Sequence, residues 1–219
     1  MYSVYPEETH ILGKSFIISP YIMFFLSIFI TSFICTDYSC QTIRNKLFVG
    51  HSLEAIYFSN FITTWIGSVI ITAAFWITLL VISVFVGFEA GMPLNEFCFL
   101  IVTKIAAVTA LVSLYVLLSE LITSKSKAVT TALILSLILL IMYPIIGDMH
   151  IEFNVQAANV ISKGVSVFFT DVMPSGQIDQ MMQMETAADI KRIFPIYSLV
   201  VTVVSSAIGV LIFRRKDLK

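Results

Sequence analysis

Long apolar runs alternate with short polar breaks along this chain, and five of them approach the crossing length of a membrane. A span takes roughly 20 apolar residues to cover about 30 Å of hydrocarbon. The runs are Phe16–Cys35, a stretch within Ile56–Phe88 whose membrane part falls at 62–88, Phe97–Leu118, Val129–Ile146 and Pro195–Phe213. The start of the second run, before Ile62, reads as interfacial or tilted. None of the runs alternates with period two, the mark of a membrane barrel. In lipid every backbone group must be paired within its own segment, so helices are predicted. The expected fold is an all-α integral membrane protein, a polytopic helical bundle with five spans and short interfacial helices. Residues 1–219 read as a single transmembrane domain.

Two polar segments break the pattern. The first is Thr36–Ser52, which carries acid, amide, guanidinium, amine and imidazole in close succession. Within Cys40–Gly50, Ile43, Leu47 and Phe48 recur at helical spacing, and Gln41, Arg44, Asn45 and Lys46 take the other directions. This predicts a short amphipathic helix over 40–50. Asp37 and Ser39 stand before it as candidate N-caps. Gly50 stands after it as a stop, and the ring N–H of His51 is a candidate cap for its end. From these residues alone, Arg44 and Lys46 suit anionic lipid headgroups.

The second polar segment is 147–194. Val155, Ala158, Ile161, Val165 and Phe168 have the spacing of a helix lying on the membrane surface. Pro174, Ser175 and Gly176 predict a turn, and Gln177–Arg192 a second short helix. A cap over the ends of the spans and a substrate vestibule are both open readings of this segment.

Composition supports a membrane protein. The chain is 58% hydrophobic and 12% charged, against about 45–50% and about 25% for soluble domains. A net charge of -1 offers no bulk attraction for nucleic acid. Orientation follows from lysine and arginine. Eight basic residues share one set of loops: Arg44, Lys46, Lys125, Lys127, Arg214, Arg215, Lys216 and Lys219. Four share the other, and Lys104 is left inside a span. The first polar segment and the C-terminus are therefore expected in the cytoplasm. Five spans then put the N-terminus outside.

Chemistry of the enzymatic kind is not visible. The cysteines Cys35, Cys40 and Cys98 are odd in number and not spaced as ligands, so neither a disulfide framework nor a metal site is expected. No phosphate-binding GxxxxGK[ST] loop, HExxH or GxSxG occurs. The chain is not expected to be an enzyme or to bind a cofactor. Lys104 is the one charge well inside a span, a candidate for a substrate path, for a bundle ion pair, or for reaching out to the headgroups along its stem. Glu120 ends the same span, Pro144 is a candidate kink, and Gly67 a candidate close helix contact.

An acid ends the first span at Asp37. After it come Thr42-Ile43-Arg44-Asn45-Lys46-Leu47, then Val49-Gly50-His51-Ser52, then Tyr57-x-x-Asn60, and the chain closes with Ile212-Phe-Arg-Arg-Lys-Asp-Leu-Lys219. This wording resembles the membrane subunits of type-2 ABC exporters. The resemblance runs from about Phe16 to the C-terminus, is specific over Asp37–Asn60, and rests elsewhere on span order and loop size. It implies a permease subunit that moves substrate by alternating access, driven by a separate ATPase chain that holds ATP and Mg. It also implies a second permease subunit, as homo- or heterodimer, in the cell membrane. The segment 40–50 would be a coupling helix. Asp37, Thr42, Ile43, Arg44, Asn45, Lys46, Leu47, Gly50, His51 and Glu54 would serve the ATPase contact, with Arg44 and Lys46 on its acids and Ile43, Leu47 and Phe48 in its groove. The family has six spans, so residues 1–15 match the end of the loop after its first span, and a span is expected to be missing. A non-transporting scaffold or immunity protein and a secondary transporter are the alternative readings.

Overall fold

The computed structural model describes residues 21–86, 94–122, 124–153, 164, 167–183 and 192–215. These residues are helical, with no strand among them. In chain order the helices are α1 (Ile22–Ser39), α2 (Thr42–Phe48), α3 (Leu53–Val86), α4 (Leu94–Leu121), α5 (Lys125–Phe153), a π-helical turn (Phe168–Val172), α6 (Pro174–Gln183) and α7 (Phe194–Arg215).

Among the described residues four helices, α1, α3, α4 and α7, are long and apolar enough to cross a membrane. Five spans were expected. The expected fourth span, 129–146, is the one not among them: it lies on α5, a helix of 29 residues whose side chains are described only as far as Ile141, so its described apolar stretch falls short of a crossing. α5 continues through Pro144. α3 runs unbroken from Leu53, because nothing between Ile56 and Ile62 interrupts helix formation, and its apolar stretch covers Leu53–Thr78.

α4 is the centre of the bundle. Of its apolar stretch 61% is buried, against 11% for that of α3 and 22% for that of α7. Its composition explains this. Ala107, Ala110 and Ser113 are wholly buried at three-residue spacing and form a flat strip that lets α7 approach closely. Apolar side chains gain little by leaving lipid for protein, so close packing and interhelical hydrogen bonds must hold such a bundle together. Both are present. Ser205 of α7 donates to Ser113 Oγ at 2.7 Å. Tyr115 of α4 and Ser136 of α5 share a hydrogen bond of 2.6 Å. Trp65 Nε1 of α3 donates to Thr109 Oγ1 of α4 at 2.8 Å. On the other side of α4, α1 contributes Leu26, Ile30 and Ile34, all fully buried at four-residue spacing.

One end of the bundle is closed by the π-helical turn and α6. Pro174, Ser175 and Gly176 are the first residues of α6 and not the turn expected from their composition. Proline fits a first helical position, where its missing N–H has no intrahelical role. The break between the π-helical turn and α6 falls at Met173, which is extended at ψ 132°. Gln177 Nε2 donates to Asp171 O at 2.7 Å, and Gln180 Nε2 to Thr170 O at 2.7 Å, which pins α6 to the π-helical turn. Ser198 of α7 donates to Gln177 Oε1 at 2.7 Å. Most of the expected surface helix at 155–168, and 184–191 of the expected second helix, lie outside the described residues.

The opposite end gathers the described residues of the larger basic set. Lys125 Nζ at the start of α5 donates to Thr36 Oγ1 at the end of α1, at 3.0 Å. Arg214 at the end of α7 lies 3.4 Å from Glu54 at the start of α3. The loops that share the larger set of lysines and arginines thus share one end of the molecule.

Candidate functional site

At this basic end α1 turns into α2 within two residues. α1 extends through Asp37 to Ser39, so neither residue caps α2 as expected. The N-cap is Gln41, in the left-handed region at φ 56° and without a side-chain cap bond. Its backbone serves both helices: Gln41 N–H reaches Tyr38 O at 3.1 Å, and Asn45 N–H reaches Gln41 O at 3.1 Å. The far end of α2 is closed by a Schellman pair. Gly50 N–H bonds Leu47 O at 3.0 Å, and His51 N–H bonds Lys46 O at 3.2 Å. Gly50 takes φ +97°, which only glycine adopts cheaply, so its expected role as a stop holds. The backbone of His51 makes the cap that its ring was expected to make.

Ser52 then starts α3. Its Oγ accepts from Ala55 N–H at 3.2 Å, an N-cap not expected from the sequence. Glu54 follows in the first turn, where a negative charge suits the helix dipole. Its carboxylate faces Arg214, with both side chains more than half exposed, so the pair contributes at most a few tenths of a kcal/mol.

α2 has two faces of different kind. Ile43 is 2% exposed and belongs to the same core cluster as Ile34, Ile56, Tyr57 and Phe213. Leu47 packs against that cluster. Both were expected to fill a partner's groove; Ile43 is instead taken up by this chain's own spans, and Leu47 is half-buried against them. Lys46 is also engaged internally. Its Nζ lies 3.0 Å from Asp37 Oδ2, with side chains 32% and 21% exposed. That partial shielding makes the pair worth about 0.5–1 kcal/mol. The outward face carries Gln41, Arg44, Asn45, Phe48, Val49 and His51. Phe48 is 76% exposed and Val49 79%. The Arg44 guanidinium lies over the Phe48 ring, 5.4 Å from its centroid. Thr42 is half-buried at the first turn. Val49 is the exposed residue that the spacing did not single out.

Behind α2 the ends of the spans are tied together. Tyr38 donates its hydroxyl to Glu120 Oε2, and Glu120 is wholly buried. The Tyr-x-x-Asn pair of the sequence is buried too, Tyr57 at 0% and Asn60 at 2%. Tyr57 sits edge-on to Phe58 and packs on Phe213 with ring centroids 6.3 Å apart. Part of the wording that resembles the exporters, Ile43, Tyr57 and Asn60, therefore serves packing beneath the helix and not its outer surface.

A second locus lies toward the far end of the bundle. Lys104 is 5% exposed on α4 and does not stretch out along its stem as one reading expected. Its ammonium sits over the ring of Trp76 on α3, 4.0 Å from the centroid. The two residues line a cavity of about 290 Å³ between α3 and α4. Among the described residues no cluster of His, Cys, Asp and Glu has the arrangement to hold a metal, and Cys35, Cys40 and Cys98 are not joined in disulfides.

Comparison with known proteins agrees with this architecture. The family model described as ABC-2 family transporter protein matches residues 44–218, from the middle of α2 through α7. No curated protein and no solved structure matches the chain.

Proposed function

The chain belongs to the ABC-2 family of transporter proteins, the membrane permeases that work with an ABC ATPase, and from that premise we propose that it is an exporter subunit coupled to its ATPase through α2. The observation that carries this reading is the division of α2 into an anchored face and an unanchored one. Ile43, Leu47 and Lys46 hold it to the bundle, while Phe48 and Val49 stand out at 76% and 79% exposure beside Arg44. A bulky apolar pair next to a cation, on a helix that is otherwise fixed, suits helix-in-groove docking to a soluble partner. Arg44 would meet an acid on the ATPase, and Phe48 and Val49 would enter its groove.

The ATPase chain would bind ATP and Mg and carry the hydrolysis, leaving this subunit without catalysis of its own. Two permease subunits and two ATPases would form the working assembly. Closure of the ATPases would press on α2 and tilt α1 and α3, so that a central path opens alternately to the two sides. The basic end, with the C-terminus, would face the cytoplasm.

Co-expression with the ATPase tests this. The tagged chain should retain the ATPase through purification, and Arg44→Glu with Phe48→Asp should release it while the permease stays folded. Retention of the ATPase by that double variant would reject α2 as the docking site. Failure of any ATPase to co-purify with the unaltered chain would favour a non-transporting scaffold.

A further inference from the structure

The cavity between α3 and α4 has a composition that selects its occupant. Val69, Thr72 and Trp76 line it from α3, and Ile101, Lys104 and Val108 from α4. Among the described residues lining it, Lys104 is the one that carries a charge. The floor is hydrocarbon, with Val108 4% exposed. Ile77 at 60%, Ile101 at 37% and Ile105 at 39% exposure also line it, so the cavity adjoins the exposed flank of the two helices. Its volume of about 290 Å³ is at the lower edge of ordinary ligand pockets, which run from about 300 Å³.

We propose that this crevice binds a single-chain anionic amphiphile taken up laterally from the bilayer, with its anionic head on the Lys104 ammonium and its hydrocarbon tail along Val69, Thr72 and Val108. Three features favour this occupant over others. A cationic ligand would bring like charge to the ammonium at low dielectric, where repulsion is strong. A neutral apolar ligand would leave the ammonium without an added interaction. An anion gains a charge-assisted hydrogen bond from a group with three donors. Trp76 holds the ammonium in place against its ring, so the donor is oriented before the ligand arrives. The position beside the exposed flank suits a molecule that is already dissolved in the membrane, and the small volume suits one chain better than two. The inference rests on the permease reading only for the fate of the bound molecule; binding itself needs no ATPase.

Trp76 supplies the readout, because the chain has two tryptophans and only Trp76 lines the crevice. The whole chain in discs of zwitterionic lipid is titrated with a fatty acid brominated at mid-chain, and tryptophan fluorescence is followed. Saturable quenching is expected, and Trp76→Phe should remove the saturable part. Lys104→Gln should weaken binding roughly 10- to 100-fold, the loss of one hydrogen bond to a charged group. Lys104→Arg should restore most of it, which controls for damage to the fold. The methyl ester of the same acid should quench weakly and without saturation. Equal quenching by acid and ester, or an unchanged affinity in Lys104→Gln, would overturn the proposal. Equal affinity for a brominated two-chain anionic phospholipid would overturn the single-chain assignment and make the crevice a site for bulk anionic lipid. Each result is read without the ATPase, so it stands apart from the co-purification test of α2.

Discussion

Removal of the Phe48 ring should separate docking from folding. Phe48 is 76% exposed in the isolated chain, so the bundle owes it little, and Phe48→Ala should change the unfolding free energy by no more than about 0.5 kcal/mol. A docked ATPase would bury what is now exposed. Full burial of a phenylalanine side chain is worth about 1.5–3 kcal/mol, and three-quarters of that is about 1–2 kcal/mol, or roughly 5–30-fold in affinity. Arg44 would also lose the ring beneath its guanidinium, worth about 0.5–1 kcal/mol at an exposed site. Ile43→Ala is the internal comparison. Ile43 is 2% exposed and packs in the core, so its truncation should cost about 2–5 kcal/mol of stability. The assay is affinity of the immobilised permease for its ATPase, with the thermal midpoint recorded on the same samples. Phe48→Ala should bind 5–30-fold more weakly at an unchanged midpoint, by the burial arithmetic above. Ile43→Ala should lower the midpoint first. Full affinity in Phe48→Ala would refute docking through the exposed face of α2.

Four further outcomes are expected. Asp37→Ala, Lys46→Ala and the double variant should give a coupling energy of about 0.5–1 kcal/mol in denaturant unfolding, falling at high salt, whereas a coupling near zero would mean the pair does not hold α2. Gly209→Ala should cost about 1–3 kcal/mol by thermal denaturation, because its Cβ would come within 2.8 Å of the Tyr57 ring and Tyr57 is 0% exposed with nowhere to move. Gly67→Ala should cost less, since the Phe29 ring 2.5 Å from its Cβ is only half-buried and can swing aside; equal costs would contradict that distinction. Gln41→Gly should leave stability unchanged or raised and Gln41→Val should lower it by about 1–2 kcal/mol, since a β-branched residue fits φ 56° poorly; equal stability of the two would contradict the left-handed joint.

The apolar runs made the helices and their order legible, because lipid leaves few other ways to pair a backbone. The same runs could not state which helix is central. That depends on Ala107, Ala110 and Ser113 forming a narrow strip, which shows only once α7 lies against it. The coupling segment was readable as an amphipathic helix, and its stop at Gly50 as well. Its facing was not. The spacing of Ile43 and Leu47 places them together on one side but does not say whether that side meets the chain's own spans or a partner. Asp37 and Ser39 have the chemistry of caps, yet α1 runs over both and frees Asp37 for Lys46. Lys104 and Trp76 meet across two helices with no local pattern to announce it, so the sequence marked the lysine and missed its ring.

The hydroxyl pairs flanking α4 also bear on how the molecule would move. Ser113–Ser205 and Tyr115–Ser136 join α4 to α7 and α5 through groups that both donate and accept. Such a bond re-forms after a small slide, since each hydroxyl can rotate to a new neighbour, and interhelical hydrogen bonds of this kind in membranes average only about 0.6 kcal/mol. The joint at α2, in contrast, is fixed by its backbone at both ends. If α2 takes up force from a partner, as proposed, these two flanks of α4, held by rotatable hydroxyls and not by fixed backbone bonds, are where the helices would slide.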